Sequence, residues 1–323
     1  MVLYWYVKCT FNAVLATTVS SSRSAFMKLG LSSYSFRPLL ANGALQIEDM
    51  FDWLSANQAE HLEIATFSFA RPGAEAGYDL TTETETLQRI TAASAKTAVP
   101  ISGICLGAKL VFVDADERRA QIELVKRHIE LCNRLEISLL RHDVVLWSHR
   151  FSQTDEFESV FPAIAEACHE IASFAATQGV TTSVEDHGFF MNGSDRIRRL
   201  LHAVNLPNFK FTVDVGNFLC VDEDAVVATK ASLGDASFVH LKDFYVRRAA
   251  PGPGWLETLG GQFIRGSVFG FGDLQTRMIL EAVVASGYDG FVSLEYEGNE
   301  PTLFGCETGL GNIRRMLGEI RGA

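Results

Sequence analysis

Three carboxylates and one imidazole stand toward the ends of four successive apolar runs. Glu185 lies in "TTSVED" (181–186), Asp214 in "KFTVDV" (210–215), His240 in "FVHLKD" (238–243) and Glu295 in "FVSLEY" (291–296). Taken singly, a polar residue at a strand end begins a turn or caps the next helix. Four in a row, at matching depth, call for a common cause. Like charges brought together in a buried site are costly unless something pairs them. A divalent cation resolves that conflict. A set dominated by oxygen, with one nitrogen, suits Mn²⁺ or Mg²⁺, with Co²⁺ and Zn²⁺ as alternative occupants.

Alternation along the strands sharpens the case. Residues i and i+2 share a face, so Thr181, Ser183, Glu185 and His187 lie together. Thr212, Asp214 and Gly216 do likewise, as do His240 with Lys242, and Ser293 with Glu295 and Glu297. Val184, Val213, Val215, Val239, Leu241, Val292 and Leu294 take the opposite face, suited to pack on helices.

Elements able to gather four strand ends follow from the rest of the chain. From Met27 onward, short apolar runs alternate with amphipathic stretches of helical length. Four earlier strands are expected at "KLGLSSYS" (28–35), "HLEIAT" (61–66), "ISGICL" (101–106) and "ISLLRHD" (137–143). The clearest helices are 117–135 and 156–178, the second with Pro162 inside, where a kink or break is expected. Another is expected over 272–287, capped by Asp273 and ended by Gly287. Eight strands, each followed by a helix, predict an α/β fold: a single closed (β/α)₈ TIM barrel over residues 27–323. In such a barrel the loops after the strands form the mouth and carry the chemistry. Residues 246–272, rich in glycine and proline, are the longest irregular stretch, of a length usual for a lid or a partner contact.

Residues 1–26 do not match this pattern. Lys8, Thr10 and Asn12 break the apolar stretch too soon for a membrane span, and Lys8 sits inside it rather than ahead of it, unlike a signal peptide. They read as a disordered or mis-assigned extension, dispensable to the fold. Composition narrows the function class. A hydrophobic content of 47% feeds a large core, while a net charge of −11 and a pI near 5.2 argue against a nucleic-acid partner. The six cysteines are scattered without a CxxC pair, the usage of a cytoplasmic protein with reduced thiols.

"SVEDHG", "TVDVGN", "FVHLKD" and "GYDGFVSLEYEG" together resemble the metal-binding strands of the xylose isomerase-like TIM barrels, over a span from about Lys28 to the C-terminus. That superfamily includes sugar isomerases, ketose 3-epimerases, inosose and dehydroshikimate dehydratases, hydroxypyruvate isomerases and the α subunits of C-glycoside deglycosidases. The resemblance puts the family's Glu–Asp–His–Glu ligand set on Glu185, Asp214, His240 and Glu295, as the strand ends do. Ketose 3-epimerases carry a histidine three residues after the metal aspartate, where this chain has Asn217. They use the two metal-bound glutamates, here Glu185 and Glu295, as acid and base. The eliminating lyases instead show Glu-x-His at the fifth strand, with the histidine as general base; here that is Glu185-Asp186-His187. The resemblance thus implies that Glu185 holds the metal and His187 moves the proton. A histidine bonded to a neighbouring loop is the plain alternative. A neutral imidazole is well matched to proton abstraction near neutral pH.

Further contacts are expected around that centre. Lys242 holds a substrate oxygen, or is a solvated lysine at a strand end. Glu297 supports Glu295 or charges the rim. His142 touches substrate, or belongs to a strand-end turn; Trp147, His149 and Arg150 line the mouth; Tyr34 and Phe36 stack on a sugar face or pack in the core. "GCETGLG" (305–311) is a loose glycine-rich match that follows no suitable strand, so it is no nucleotide site.

The expectation is a divalent-metal-dependent lyase that takes a proton next to a carbonyl of a keto-sugar. The first branch within it is cleavage of 3-keto-C-glycosides, for which the resemblance implies a small β subunit; an oligomer is expected. The alternatives are a sugar isomerase, a ketose 3-epimerase, or an inosose or dehydroshikimate type of dehydratase. Endonuclease IV shares this barrel but needs a basic groove and extra histidine ligands, against the acidic balance here. A non-catalytic sugar-binding barrel would have no use for a complete ligand set.

Overall fold

A computed structural model describes residues 27–73, 78–150 and 154–322, so the expectation for residues 1–26 lies outside the described residues. The barrel strands are β1 (Lys28–Ser32), β2 (Leu62–Ala65), β3 (Ile101–Leu106), β4 (Leu139–His142), β5 (Thr181–Glu185), β6 (Phe209–Asp214) and β7 (Ala236–Leu241). After an inserted sheet of β8 (Asp243–Arg247), β9 (Leu256–Glu257) and β10 (Phe263–Ser267), β11 (Phe291–Leu294) completes the set. Parallel pairing in the order β1-β11-β7-β6-β5-β4-β3-β2 closes the barrel, with β1 joined to both β11 and β2.

Helices return the chain between strands: α1 (Arg37–Ala41) and α2 (Ile47–Ala56), α3 (Thr84–Thr97), α4 (Ala115–Arg134), α5 (Thr154–Thr177), α6 (Ser194–Val204), α7 (Ala225–Ser232), α8 (Thr276–Ala285) and α9 (Thr302–Gly322). The single (β/α)₈ architecture read from the sequence is the one observed. The outward valines and leucines pack beneath these helices: Val184, Val213, Val239, Leu241, Val292 and Leu294 are all buried in one core with Val125, Ile129, Ile164 and Ile171. Burying each such side chain contributes roughly 1.5–3 kcal/mol. Toward the mouth the inward faces are polar, as in the 2.7 Å bond between Ser183 Oγ and Thr212 Oγ1.

Three local expectations change. Helix α5 runs through Pro162 unbroken. Helix α8 starts at Thr276, not near Asp273, whose carboxylate instead accepts from Val246 N at 2.7 Å and Arg247 at 3.0 Å. The stretch 246–272 is not irregular throughout: it carries most of the short antiparallel sheet β8-β10-β9, whose Phe244 and Ile264 bury against Phe189 and Cys220 over the loops that follow β5 and β6. Its strands are short and split by the glycine- and proline-rich segment 248–255, so no local periodicity announced them. The glycines of 305–311 lie within α9, and Gly305 and Gly309 let it approach β11 and the residues just after it. A Cβ on Gly305 would fall 2.3 Å from the Tyr296 ring, and one on Gly309 2.8 Å from Leu294.

Candidate active site

The C-terminal ends of β5, β6, β7 and the segment just past β11 bring Glu185, Asp214, His240 and Glu295 together. One ligand atom from each lies within 4.8 Å of the others, and all four residues are buried. Register sets the level: Asp214 and Ser293 both pair with His240, and Glu295 N donates to Leu241 O at 3.0 Å.

His240 shows why this group suits a cation. Its Nδ1 looks onto carboxylate oxygens of Glu185 at 3.4 Å and of Asp214 and Glu295 at 4.0 Å, and makes no hydrogen bond to a described residue. A buried ring nitrogen left unbonded among three acids has the chemistry of a metal ligand. Nε2 lies 2.8 Å from Glu63 Oε2 on β2, a carboxylate that is itself buried. Such a partner behind a ligand histidine fixes the ring and raises its basicity. Burial opposes charge on His240, but Glu63 and Glu295 outweigh it and drive its pKa up. Burial pushes Asp214 up to about 6, against the pull of Lys242.

Lys242 is no solvated strand-end lysine. It is buried, with Nζ 2.7 Å from Glu295, 2.9 Å from Glu297 and 3.1 Å from Asp214. Asn217 lies beside it, its Oδ1 3.3 Å from Nζ and its amide nitrogen donating to Glu185 Oε1 at 3.0 Å. Glu297 is partly exposed and accepts from the Tyr34 hydroxyl at 3.3 Å, so Tyr34 stands at the rim. Phe36, in contrast, is fully buried against Trp53 and offers no platform.

His187 lies just beyond β5, its side chain 31% exposed and its Nδ1 2.9 Å from Asp143 Oδ1. Burial would lower its pKa; the Asp143 carboxylate outweighs that and the net direction is up. The same Asp143 oxygen pairs with Arg141 Nη2 at 2.8 Å, and that nitrogen also meets Glu185 Oε2. Arg141 thereby holds Glu185 well below the usual carboxylate range, overcoming the opposite push of burial.

Strand β4 corrects one expectation. Arg141 is the residue it sends to the mouth; the adjacent His142 takes the other face. His142 is fully buried, its Nδ1 2.9 Å from Asp143 O and its ring tilted against Phe209, so it is not placed to touch a substrate. In the loop after β4, Trp147 is exposed, while His149 stacks on Phe112 at 4.2 Å. Arg150 lies over Phe189 at 3.7 Å and bonds the carbonyls of Glu257 and Thr258, tying this loop to the inserted sheet.

Glu63, Arg141 and Asp143 escaped the sequence reading. A signal was there: Glu63 interrupts the apolar "HLEIAT", and Arg141 and Asp143 share one strand parity in "ISLLRHD".

A family model for xylose isomerase-like TIM barrels matches residues 56–316. No curated protein matches the chain. Among solved structures, the 3-keto-D-glucoside 4-epimerase YcjR from E. coli is similar at 15% identity and TM-score 0.66, covering 90% of this chain and 99% of that one. The probable 3-DHS dehydratase AsbF of petrobactin synthesis from Bacillus anthracis is similar at 18% identity and TM-score 0.66, covering 89% and 99%. A xylose isomerase-like TIM barrel protein from Mycobacterium smegmatis, in complex with magnesium, is similar at 14% identity and TM-score 0.67, covering 92% and 98%.

Proposed function

This chain belongs to the xylose isomerase-like TIM barrel family, and from that premise we propose that it is a divalent-metal-dependent lyase acting on keto-sugars. It removes a proton from the carbon next to a ketone and expels a group from the carbon beyond. The observation that carries this reading is His187, held by Asp143 through Nδ1, beside a buried Glu–Asp–His–Glu cluster.

Three candidate bases compete, and their surroundings separate them. Arg141 lowers the affinity of Glu185 for a proton, and Lys242 does the same for Glu295. His187 is paired with a carboxylate, which raises its affinity. The imidazole is the better acceptor. Glu185, Asp214, His240 and Glu295 would hold the cation, Mn²⁺ or Mg²⁺ by the hardness of three oxygens and one nitrogen. Bound there, it supplies Lewis-acid polarisation of the ketone. His187 Nε2 takes the proton, the C–H electron pair moves toward the ketone, and the leaving group departs with the electrons of its bond. Lys242, Glu297 and the Tyr34 hydroxyl line the same mouth and suit the remaining substrate hydroxyls.

The similar structures named for a 3-keto-glucoside epimerase and a dehydratase agree with proton removal beside a carbonyl as the shared step. Within this reading, 3-keto-C-glycosides are the substrates of first choice, with a small β subunit as partner and an oligomeric assembly. Free, buried cysteines suit a reducing compartment such as the cytoplasm.

The test is incubation of the Mn²⁺- or Mg²⁺-loaded protein in D₂O with a panel of keto-sugars and 3-keto-glycosides. Deuterium next to the ketone together with a released aglycone or water is the expected result. Exchange with inversion or carbonyl migration, and no release, would replace the lyase by an epimerase or isomerase. No exchange with any member of the panel, by protein with full metal content, would end the proposal.

A further inference from the structure

Neutral imidazole left to itself prefers to carry its proton on Nε2. That tautomer would make Nε2 a donor and useless as a base. In this molecule His187 Nδ1 faces Asp143 Oδ1 at 2.9 Å, and no described residue bonds Nε2. A carboxylate only accepts, so the proton must sit on Nδ1 and the lone pair on Nε2.

Asp143 is itself held. Arg141 Nη2 lies 2.8 Å from the same Oδ1, Arg141 Nη1 donates to Cys105 Sγ at 3.0 Å, and Arg141 is buried. The guanidinium also meets Glu185, so one chain runs His187–Asp143–Arg141–Glu185. The His187 backbone is fixed too. It bridges to Met191, and Gly188 beside it, at φ +72°, leaves room for nothing: a Cβ there would fall 2.0 Å from Trp147 O. Asn192 donates to Gly188 O at 2.7 Å.

We propose that Asp143 and Arg141 are positioning residues for the proton transfer: Asp143 sets the His187 tautomer, and Arg141 locks Asp143 to the metal ligand Glu185. This rests on the reading of His187 as the base. It couples the base to the ligand set through an ionic link, so that the cation addresses the ketone and His187 the carbon beside it.

The test uses the full chain loaded with Mg²⁺, with nitrogen-15 labelled histidine and the keto-glycoside exchange assay. In the wild type, His187 should show a protonated Nδ1 and an unprotonated Nε2. Asp143→Ala should shift the ring to the Nε2–H tautomer and cut kcat about 10²-fold, with KM and Mg²⁺ content nearly unchanged. Asp143→Asn keeps an oxygen able to accept from Nδ1, and its rate should follow whichever tautomer its spectrum shows. An Asp143→Ala protein that keeps the Nδ1–H tautomer, or that loses it while keeping kcat, overturns the proposal. Should that variant fail to fold, an Asp143→Asn protein with changed tautomer and unchanged kcat does the same. His187→Ala is the control. If it keeps turnover, the base assignment has failed; if it loses turnover while both Asp143 variants keep it, only the positioning role has failed.

Discussion

At the lower end of the barrel, Phe238 and Phe291 stack with centroids 6.0 Å apart, and the His61 ring lies edge-on to both. Two residues further along the same strands the interior holds Glu63, His240 and Ser293, and two beyond two of those come Lys242 and Glu295. His61 and His240 are equally buried. Yet burial pushes His61 down to about 4, while carboxylates around His240 drive it up. Among the described residues, His61 Nε2 reaches only the carbonyls of Lys28 and Val292, at 3.1 Å each. Burial alone therefore does not decide the charge of a histidine; the groups that share its burial do. One end of this barrel is built to stay neutral and hold the strands shut. The other is built to concentrate charge.

Removing His240 should test that division most severely. His240→Ala, or treatment with a chelator, should abolish turnover and empty the site, read by metal analysis and by the exchange assay, while the barrel below stays folded. Full activity in chelator-treated, metal-free protein would break the comparison at its root. Next in size, His187→Ala should cut turnover by ~10²–10⁴-fold with metal content kept, and added imidazole should restore part of the rate. Near-normal turnover there, with loss in a metal-loaded Glu295→Gln protein, would move the proton transfer to the glutamates.

The neutral end makes a prediction of its own. The unfolded chain protonates His61 near the ordinary 6.5, the folded one only at about 4. Stability is thus full above 6.5 and declines as pH falls from 6.5 toward about 4, by up to about 3 kcal/mol. His61→Gln should flatten urea-unfolding stability over that window relative to the wild type; an unchanged slope would mean His61 is not held neutral. The smallest effect expected is at the junction of the two ends. Glu63→Gln should weaken metal affinity by roughly 10–100-fold through the loosened His240 ring, with the melting temperature of the metal-free protein little changed. No change in affinity would make Glu63 a packing residue of the lower layer.

How far each end was legible follows from the range of its contacts. Strand parity is local, so "TTSVED", "KFTVDV", "FVHLKD" and "FVSLEY" already declare which residues share a face, and the eight-fold alternation with helical stretches declares a barrel. The candidate ligand set was readable for that reason. The aromatic floor was not, because His61 meets Phe291 only when β1 closes onto β11. Lys242 could be read as a solvated strand end until Asp214, Glu295 and Glu297 surrounded it. His142 and Arg141 are neighbours in one strand, and which of them meets the mouth depends on how β4 is turned in the closed sheet. The Glu63–His240 bond spans 177 residues and the Asp143–His187 bond 44, across loops whose sequences carry no mark of each other. The sequence by itself determined the side-chain direction along each strand, which the backbone pleat sets residue by residue. Only the tertiary structure decided the partners, because closure of the barrel chooses which distant side chains come within the few ångströms over which charges and hydrogen bonds act.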